Sequence, residues 1–231
     1  MSFTTVANVP GFSWSYSVLK NYEVCPRRYH SYNVLKDVQE PESDQLRQGN
    51  LLHAAFEARV TKGEELPLGM GMHEPMLARL ASAPGKTYAE RKLGLTSAFE
   101  PTSFFGARTW FRIVLDYTNI RPTQGGGTIA TVVDYKTGKP ATDTTQLQLS
   151  AATLFAHDPK IDRVKAALVF VAHGESETAE YARSDTTEIW SEVLPRVRKV
   201  IEARQQDHYP PKPGGLCRRY CAVVSCPFHG K

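Results

Sequence analysis

Thr128-Ile129-Ala130-Thr131-Val132-Val133-Asp134-Tyr135-Lys136 is the stretch on which the fold turns. It is rich in β-branched residues and follows the Gly125-Gly126-Gly127 turn, as a strand does. Side chains alternate along a strand, so Asp134 and Lys136 project to one side while Val133 and Tyr135 face the other. Two strand-like runs precede it, near residues 88–95 and 109–117. A helix near 144–157 follows, then the apolar run 166–172, which suits a strand buried on both faces. This alternation predicts an α/β fold with a mixed central sheet flanked by helices.

Outward from that centre, Ser15 suits the N-cap of a first helix with Val18, Leu19 and Tyr22 on one face and a stop before Pro26. A second helix over 44–61 carries Leu51, Leu52, Ala55 and Phe56 as its apolar stripe and sets His53 and Glu57 four apart. The Gly- and Pro-rich segment 62–86 reads as an insertion around a short helix at 76–81. A last long helix carries Trp190, Val193, Leu194, Val197, Val200 and Ile201, with Pro195 either kinking it or opening its second half. The chain after Gln206 is irregular until three cysteines appear.

At 231 residues, with 41% hydrophobic and 23% charged side chains, the chain has the composition of a globular protein, which excludes fibrous and disordered readings. No apolar run reaches the roughly 18 residues of a spanning helix. The polar start Met1-Ser2-Phe3-Thr4-Thr5 has no basic region followed by an apolar one, so the protein is read as soluble and cytoplasmic, with no membrane partner. A net charge of +4 tolerates a polyanion without identifying one.

Asp134 and Lys136 place a carboxylate and an ammonium in one pocket. The carboxylate can hold a divalent metal, and the lysine can orient water or neutralise charge growing on a phosphate. An isolated Asp-x-Lys at a strand end is more often a surface ion pair. The neighbouring run Trp110-Phe111-Arg112-Ile113-Val114-Leu115-Asp116 changes that balance, because pairing of the two strands brings a second carboxylate beside Asp134. Two adjacent carboxylates repel unless a cation lies between them. His53 adds a nitrogen ligand and shifts the preference from magnesium toward manganese, unless it is a hydrogen-bonded core residue. Gln146 opens the next helix and could reach back over the site, or form a capping pair with Asp143.

The ordered series His53 in Gly49-Asn50-Leu51-Leu52-His53, then Asp116, Asp134-Tyr135-Lys136 and Gln146, resembles the RecB-like exonuclease branch of the PD-(D/E)XK nuclease superfamily. The resemblance spans most of the chain and implies a restriction-endonuclease-like fold. It implies Mg2+ or Mn2+ held by His53, Asp116, Asp134 and the backbone carbonyl of Tyr135, with Lys136 as catalytic lysine and Gln146 in the following motif. The family's motif often continues to a tyrosine four residues after the glutamine, where this chain has Ser150.

Four cysteines in an intracellular chain suggest metal ligands or free thiols rather than disulfides. Cys217, Cys221 and Cys226 are spaced C-x3-C-x4-C, and Cys25 lies near the other end of the chain. This is similar to the members of the RecB-like branch that carry an iron-sulfur cluster, including AddB-type and CRISPR adaptation nucleases, whose usual C-terminal spacing is C-x2-C-x5-C. The resemblance implies a 4Fe-4S cluster on Cys25, Cys217, Cys221 and Cys226; four thiolates also suit structural zinc. Arg27, Arg28, Arg218 and Arg219 flank these ligands as DNA-backbone contacts or as solvated charges. Gly85-Lys86-Thr87 mimics the end of a phosphate-binding loop, but Leu80 stands where its first glycine belongs.

These readings converge on a single nuclease domain over 1–231. Its cluster-bearing segments are 12–30 and 207–231, its helical part and loop-rich insertion 40–86, and its core 87–175. The expected activity is metal-dependent DNA hydrolysis, as an exonuclease of recombination, repair or processing in a bacterial or phage-infected cell. DNA with ends or single-stranded regions would be the substrate. No helicase signature is present, so a helicase or recombination partner would be a separate chain. The competing class is a non-catalytic nucleic-acid-binding or assembly module that keeps the fold and cluster as scaffold.

Overall fold

In the computed structural model, which describes residues 11–39, 43–140 and 142–231, Ser15 caps the first helix by accepting from the Val18 N–H at 3.4 Å. Helix α1 (Tyr16–Val24) buries Leu19, and Val18 and Tyr22 pack beside it. Pro26 then opens a short helix, α2 (Pro26–Tyr29), which passes into a π-helical turn at His30–Leu35. The stop expected before Pro26 is therefore a break between helices, since a proline at a first helical position lacks only an N–H that would be unpaired there. Residues 1–5, read for a leader, and residue 40, where the helical part was expected to begin, lie outside the described residues.

Helix α3 (Asp44–Lys62) is capped by Ser43, whose hydroxyl accepts from the Leu46 N–H at 3.1 Å, and it ends at Gly63 in the left-handed region. Of the expected stripe, Leu52 and Phe56 are buried but Leu51 is 59% exposed. Only one line of this helix meets the sheet, and Leu51 falls outside it. Helix α4 (Glu74–Ala81) follows a 3₁₀ turn at Gly71–His73.

The sheet is built from β1 (Lys86–Leu95), β2 (Pro101–Thr102), β3 (Phe111–Pro122), β4 (Thr128–Lys136), β5 (Ile161–Phe170) and β6 (Glu175–Ala182), in the order β2-β1-β3-β4-β5-β6. All neighbours are antiparallel except β4 and β5, which α5 (Thr145–His157) joins as a crossover. Strand β5 begins at Ile161, before the apolar run, and buries alternate residues rather than both faces throughout. Helix α6 (Thr186–Gln205) continues through the exposed Pro195, and α7 (Gly215–Arg219) carries Cys217. Among the described residues no helix is long and apolar enough to cross a membrane.

The sheet has a core on each face. The larger core takes α1, α5 and α6 through Leu19, Leu147, Leu154, Trp190, Val193 and Val197. The smaller takes α3 and α4, where Leu52, Phe56 and Leu77 cover Tyr117, Val133 and Tyr135. Gly85 leads into β1 at φ +113, where an added Cβ would lie 2.5 Å from the Ile120 carbonyl oxygen. Close approach between strand ends, not phosphate binding, requires this glycine.

The centre of the sheet forks. Strand β3 pairs with β4 only from Tyr117↔Val133 to Pro122↔Thr128. On the far side of that point Trp14 takes the place of β4, its N–H donating to the Trp110 carbonyl and its carbonyl accepting from the Arg112 N–H, each at 2.9 Å. Continuing the β3–β4 register by one pair would set Asp116 opposite Asp134, so both lie where the strands part. On the other edge of β3 the ladder with β1 runs through Ala89↔Tyr117 and Arg91↔Leu115 and skips the pair between them, Glu90 and Asp116. At this break β3 changes faces, with Leu115 in the larger core and Tyr117 in the smaller.

Candidate active site

The fork gathers side chains that a regular sheet would keep apart. Across the break, His53 Nδ1 from α3 lies 3.4 Å from Asp116 Oδ2 and 3.7 Å from Glu90 Oε1. Donor atoms of His53, Glu90 and Asp116 all lie within 4.8 Å of one another, a spacing that suits a single cation. Hydrogen bonds donated to Asp116, then to Glu90, raise the His53 imidazole to about 10 against the opposing effect of burial. Asp116 is itself anchored, because its Oδ2 accepts from the Tyr135 N–H at 2.8 Å where the backbone ladder has ended.

Glu90 is absent from the sequence reading. It holds φ +48, a left-handed conformation uncommon for a residue with a side chain and one that accumulates at functional sites. The signal is conformational, and nothing in Tyr88-Ala89-Glu90-Arg91 marks it in advance.

Asp134 and Lys136 share a side, as alternation predicts, and the Lys136 ammonium lies 2.6 Å from Asp134 Oδ2. Lys136 also donates to Gln146 Oε1 at 2.8 Å, and the Gln146 amide donates to Asp134 Oδ1. Gln146 thus reaches over the site instead of pairing with Asp143, which accepts from the Thr145 N–H at 3.1 Å. Burial pushes the Asp134 carboxyl up to about 6 against the pull of Lys136, and the Asp116 carboxylate adds to the push. The Tyr135 ring points to the opposite face and meets Phe56 edge-on at 4.9 Å. Ser150 is buried and donates to the Gln146 carbonyl at 2.8 Å, so that position presents no aromatic to the site.

All of these donors face one open groove of about 1350 Å³, which runs from α1 across the fork to α3. Lys20, Lys92 and Arg112 line it as well.

The four cysteines are free thiols, half-buried, and line a second pocket of about 320 Å³ with Val24, Val223 and Phe228. Cys25 Sγ accepts from the Lys212 N–H at 3.4 Å, which draws the chain ends together. No three of the sulfurs lie within 4.8 Å of one another. Of the flanking arginines, Arg28 donates to Asn21 at 2.8 Å and lies over the Tyr32 ring at 4.7 Å. Arg27 lines the cysteine pocket, while Arg218 and Arg219 are exposed on α7.

A mixed sheet covered by helices on both faces, with Asp116, Asp134 and Lys136 at a fork in its centre, is the restriction-endonuclease-like arrangement. Residues 13–95 and 115–227 match the sequence model of the PD-(D/E)XK nuclease superfamily, and the chain belongs to that superfamily. No curated protein matches the chain in sequence. Among solved structures it is similar to a "Putative exonuclease" from Eubacterium rectale, with 14% identity and a TM-score of 0.49 over 89% of this chain and 85% of that one. It is also similar to the protein SSO0001, with 11% identity and a TM-score of 0.41 over 96% of this chain and 89% of that one.

Proposed function

We propose that this nuclease is a divalent-metal-dependent DNA exonuclease of the RecB-like branch, a single domain whose terminal segments are fastened by a 4Fe-4S cluster. The observation that carries the catalytic part is the convergence of His53, Glu90 and Asp116 within 4.8 Å at the fork that also holds Asp134 and Lys136. Their hard oxygens and single imidazole suit magnesium or manganese. His53, Glu90, Asp116 and Asp134, with the Tyr135 carbonyl, would hold that ion. A divalent ion bound there supplies Lewis acidity toward a phosphoryl oxygen and acidifies bound water.

The chain's own residues do the rest. Hydrolysis joins a water oxygen to phosphorus, breaks one P–O ester bond, and moves a proton from the water to the departing oxygen. Lys136, held by Asp134 and Gln146, presents its ammonium to the non-bridging oxygens as charge grows on them. Gln146 orients both partners of that ion pair. A binding module would gain nothing from this constellation.

The cysteine pocket supports the cluster. All four cysteines line one pocket of about 320 Å³, so a single centre there could take every thiolate of the C-x3-C-x4-C run together with Cys25. The Lys212 N–H on Cys25 is the kind of donor that stabilises cluster thiolates.

Digestion of end-labelled linear and circular DNA, single- and double-stranded, with magnesium or manganese tests the activity. Shortening of linear DNA with circles spared is expected; equal attack on circles would make the protein an endonuclease. Anaerobic purification tests the cluster: brown protein with about four irons per chain is expected, and colourless protein with one zinc would replace it.

A further inference from the structure

At the groove's rim, away from the metal donors, the loop Ser103-Phe104-Phe105-Gly106-Ala107-Arg108-Thr109 holds out an aromatic ring. Phe105 is 75% exposed, while Phe104 beneath it lines the groove and meets it edge-on at 4.8 Å. A single exposed apolar side chain is ordinary. What sets this one apart is the rigidity of its mount. The Thr109 hydroxyl donates to the Ser103 carbonyl at 2.7 Å, and the Gly106 N–H to the same carbonyl at 3.0 Å. The loop is also seated against β1, where a Cβ on Gly94 would lie 2.9 Å from Thr109 Cγ2 and 3.0 Å from the Ser103 carbonyl. A ring carried on a loop held this firmly costs little backbone freedom when something stacks on it.

Cations lie in the groove beside Phe104. Arg112 lies 5.8 Å from the Phe104 ring centre, and Arg112 and Lys92 line the same groove as Asp116 and Lys136. Groove cations next to an exposed aromatic face match the phosphates and bases of a nucleic-acid strand whose bases are unpaired. A duplex hides the faces of its bases, so a ring presented at the groove's edge can stack only on single-stranded DNA or a frayed end.

We propose that Phe105 is a stacking platform for a base of single-stranded DNA, supported by Phe104, with Lys92 and Arg112 on the adjoining phosphates. This rests on the nuclease reading and narrows its substrate to a strand with unpaired bases at the groove.

The test is equilibrium binding of a mixed-sequence single-stranded oligonucleotide in chelator, without turnover, by the parent protein, Phe105→Ala and Phe105→Trp. Phe105→Ala should bind about tenfold more weakly, with an unchanged melting temperature, and Phe105→Trp should restore binding. A scan of single abasic sites should then find one position that weakens the parent by a similar factor and Phe105→Ala no further. Equal binding by Phe105→Ala, or equal loss in both proteins at every abasic position, would overturn the platform and leave the nuclease reading intact. Failure of the parent to bind the oligonucleotide would overturn the platform, while digestion of linear DNA with manganese decides the nuclease reading separately.

Discussion

Lys136 is fixed in place before any substrate arrives, by Asp134 at 2.6 Å and Gln146 at 2.8 Å. Under the proposed mechanism its value lies in this preorganisation, so Lys136→Ala should slow hydrolysis about 100-fold or more while DNA binding largely survives. Single-turnover digestion beside a binding measurement checks this, and a variant as fast as the parent would remove Lys136 from the chemistry. Glu90 makes a different prediction. If it shares the cation with His53 and Asp116, Glu90→Gln should raise the manganese concentration for half-maximal activity roughly 10- to 100-fold. An unchanged metal requirement would make Glu90 a partner of His53 only. The difference in legibility between these residues is physical. Asp134, Lys136 and Gln146 are joined by strand alternation and a short connection, which spacing reveals. Glu90 reaches the site because a ladder breaks and one residue turns left-handed, and no periodicity encodes that.

Among the elements, β1 depends on Gly85. Gly85→Ala places a methyl against the Ile120 carbonyl at φ +113, and the strain should cost about 1–3 kcal/mol in urea unfolding. An unaffected midpoint would mean that the strand ends separate freely. The elements that the sequence discloses are those with a buried periodic face, such as α1, α5, α6 and β4. Strand β6 escapes such reading because Glu175-Ser176-Glu177-Thr178-Ala179-Glu180-Tyr181-Ala182 is polar and lies at a sheet edge, where pairing with β5 alone suffices. Strand β2 is two residues long and carries no pattern at all. The terminal segments carry the proposed cluster, so Cys25→Ala or Cys221→Ala should give protease-sensitive protein, read by limited digestion. Parent-like resistance in both variants would show that the thiols fasten nothing.

For the whole molecule the titrating groups act on both sides of neutrality: His53, raised to about 10 by its bonds to Asp116 and Glu90, loses its contribution as pH rises from about 6.5 through 10, while other groups act on the acid side. Burial lowers the His157 imidazole, whose Nε2 meets the Gly94 carbonyl at 2.8 Å, and burial lowers His73 as well. The unfolded chain takes up protons at both near pH 6.5 while the folded chain still resists, so their contribution falls as pH drops through that point. Asp143 acts lower down. Burial would raise it, but bonds from Thr145, Lys20 and Tyr16 prevail and hold it well below the usual carboxylate range. Its contribution is complete above about pH 4 and is lost on acidification below that. Melting temperatures of the parent and of Asp143→Asn should converge as the pH falls from 5 to 3, and a gap that stays constant would contradict this. The way α1 is held bears on when the protein becomes competent during its own synthesis. Its start rests on β3 through Trp14, but its end is fixed by Arg196 Nε on the Glu23 carboxylate at 2.6 Å and Lys212 Nζ on the Glu23 carbonyl at 2.8 Å. Both partners come late in the chain, so α1, which lines one side of the groove, gains these anchors only after α6 and the segment beyond it have been made.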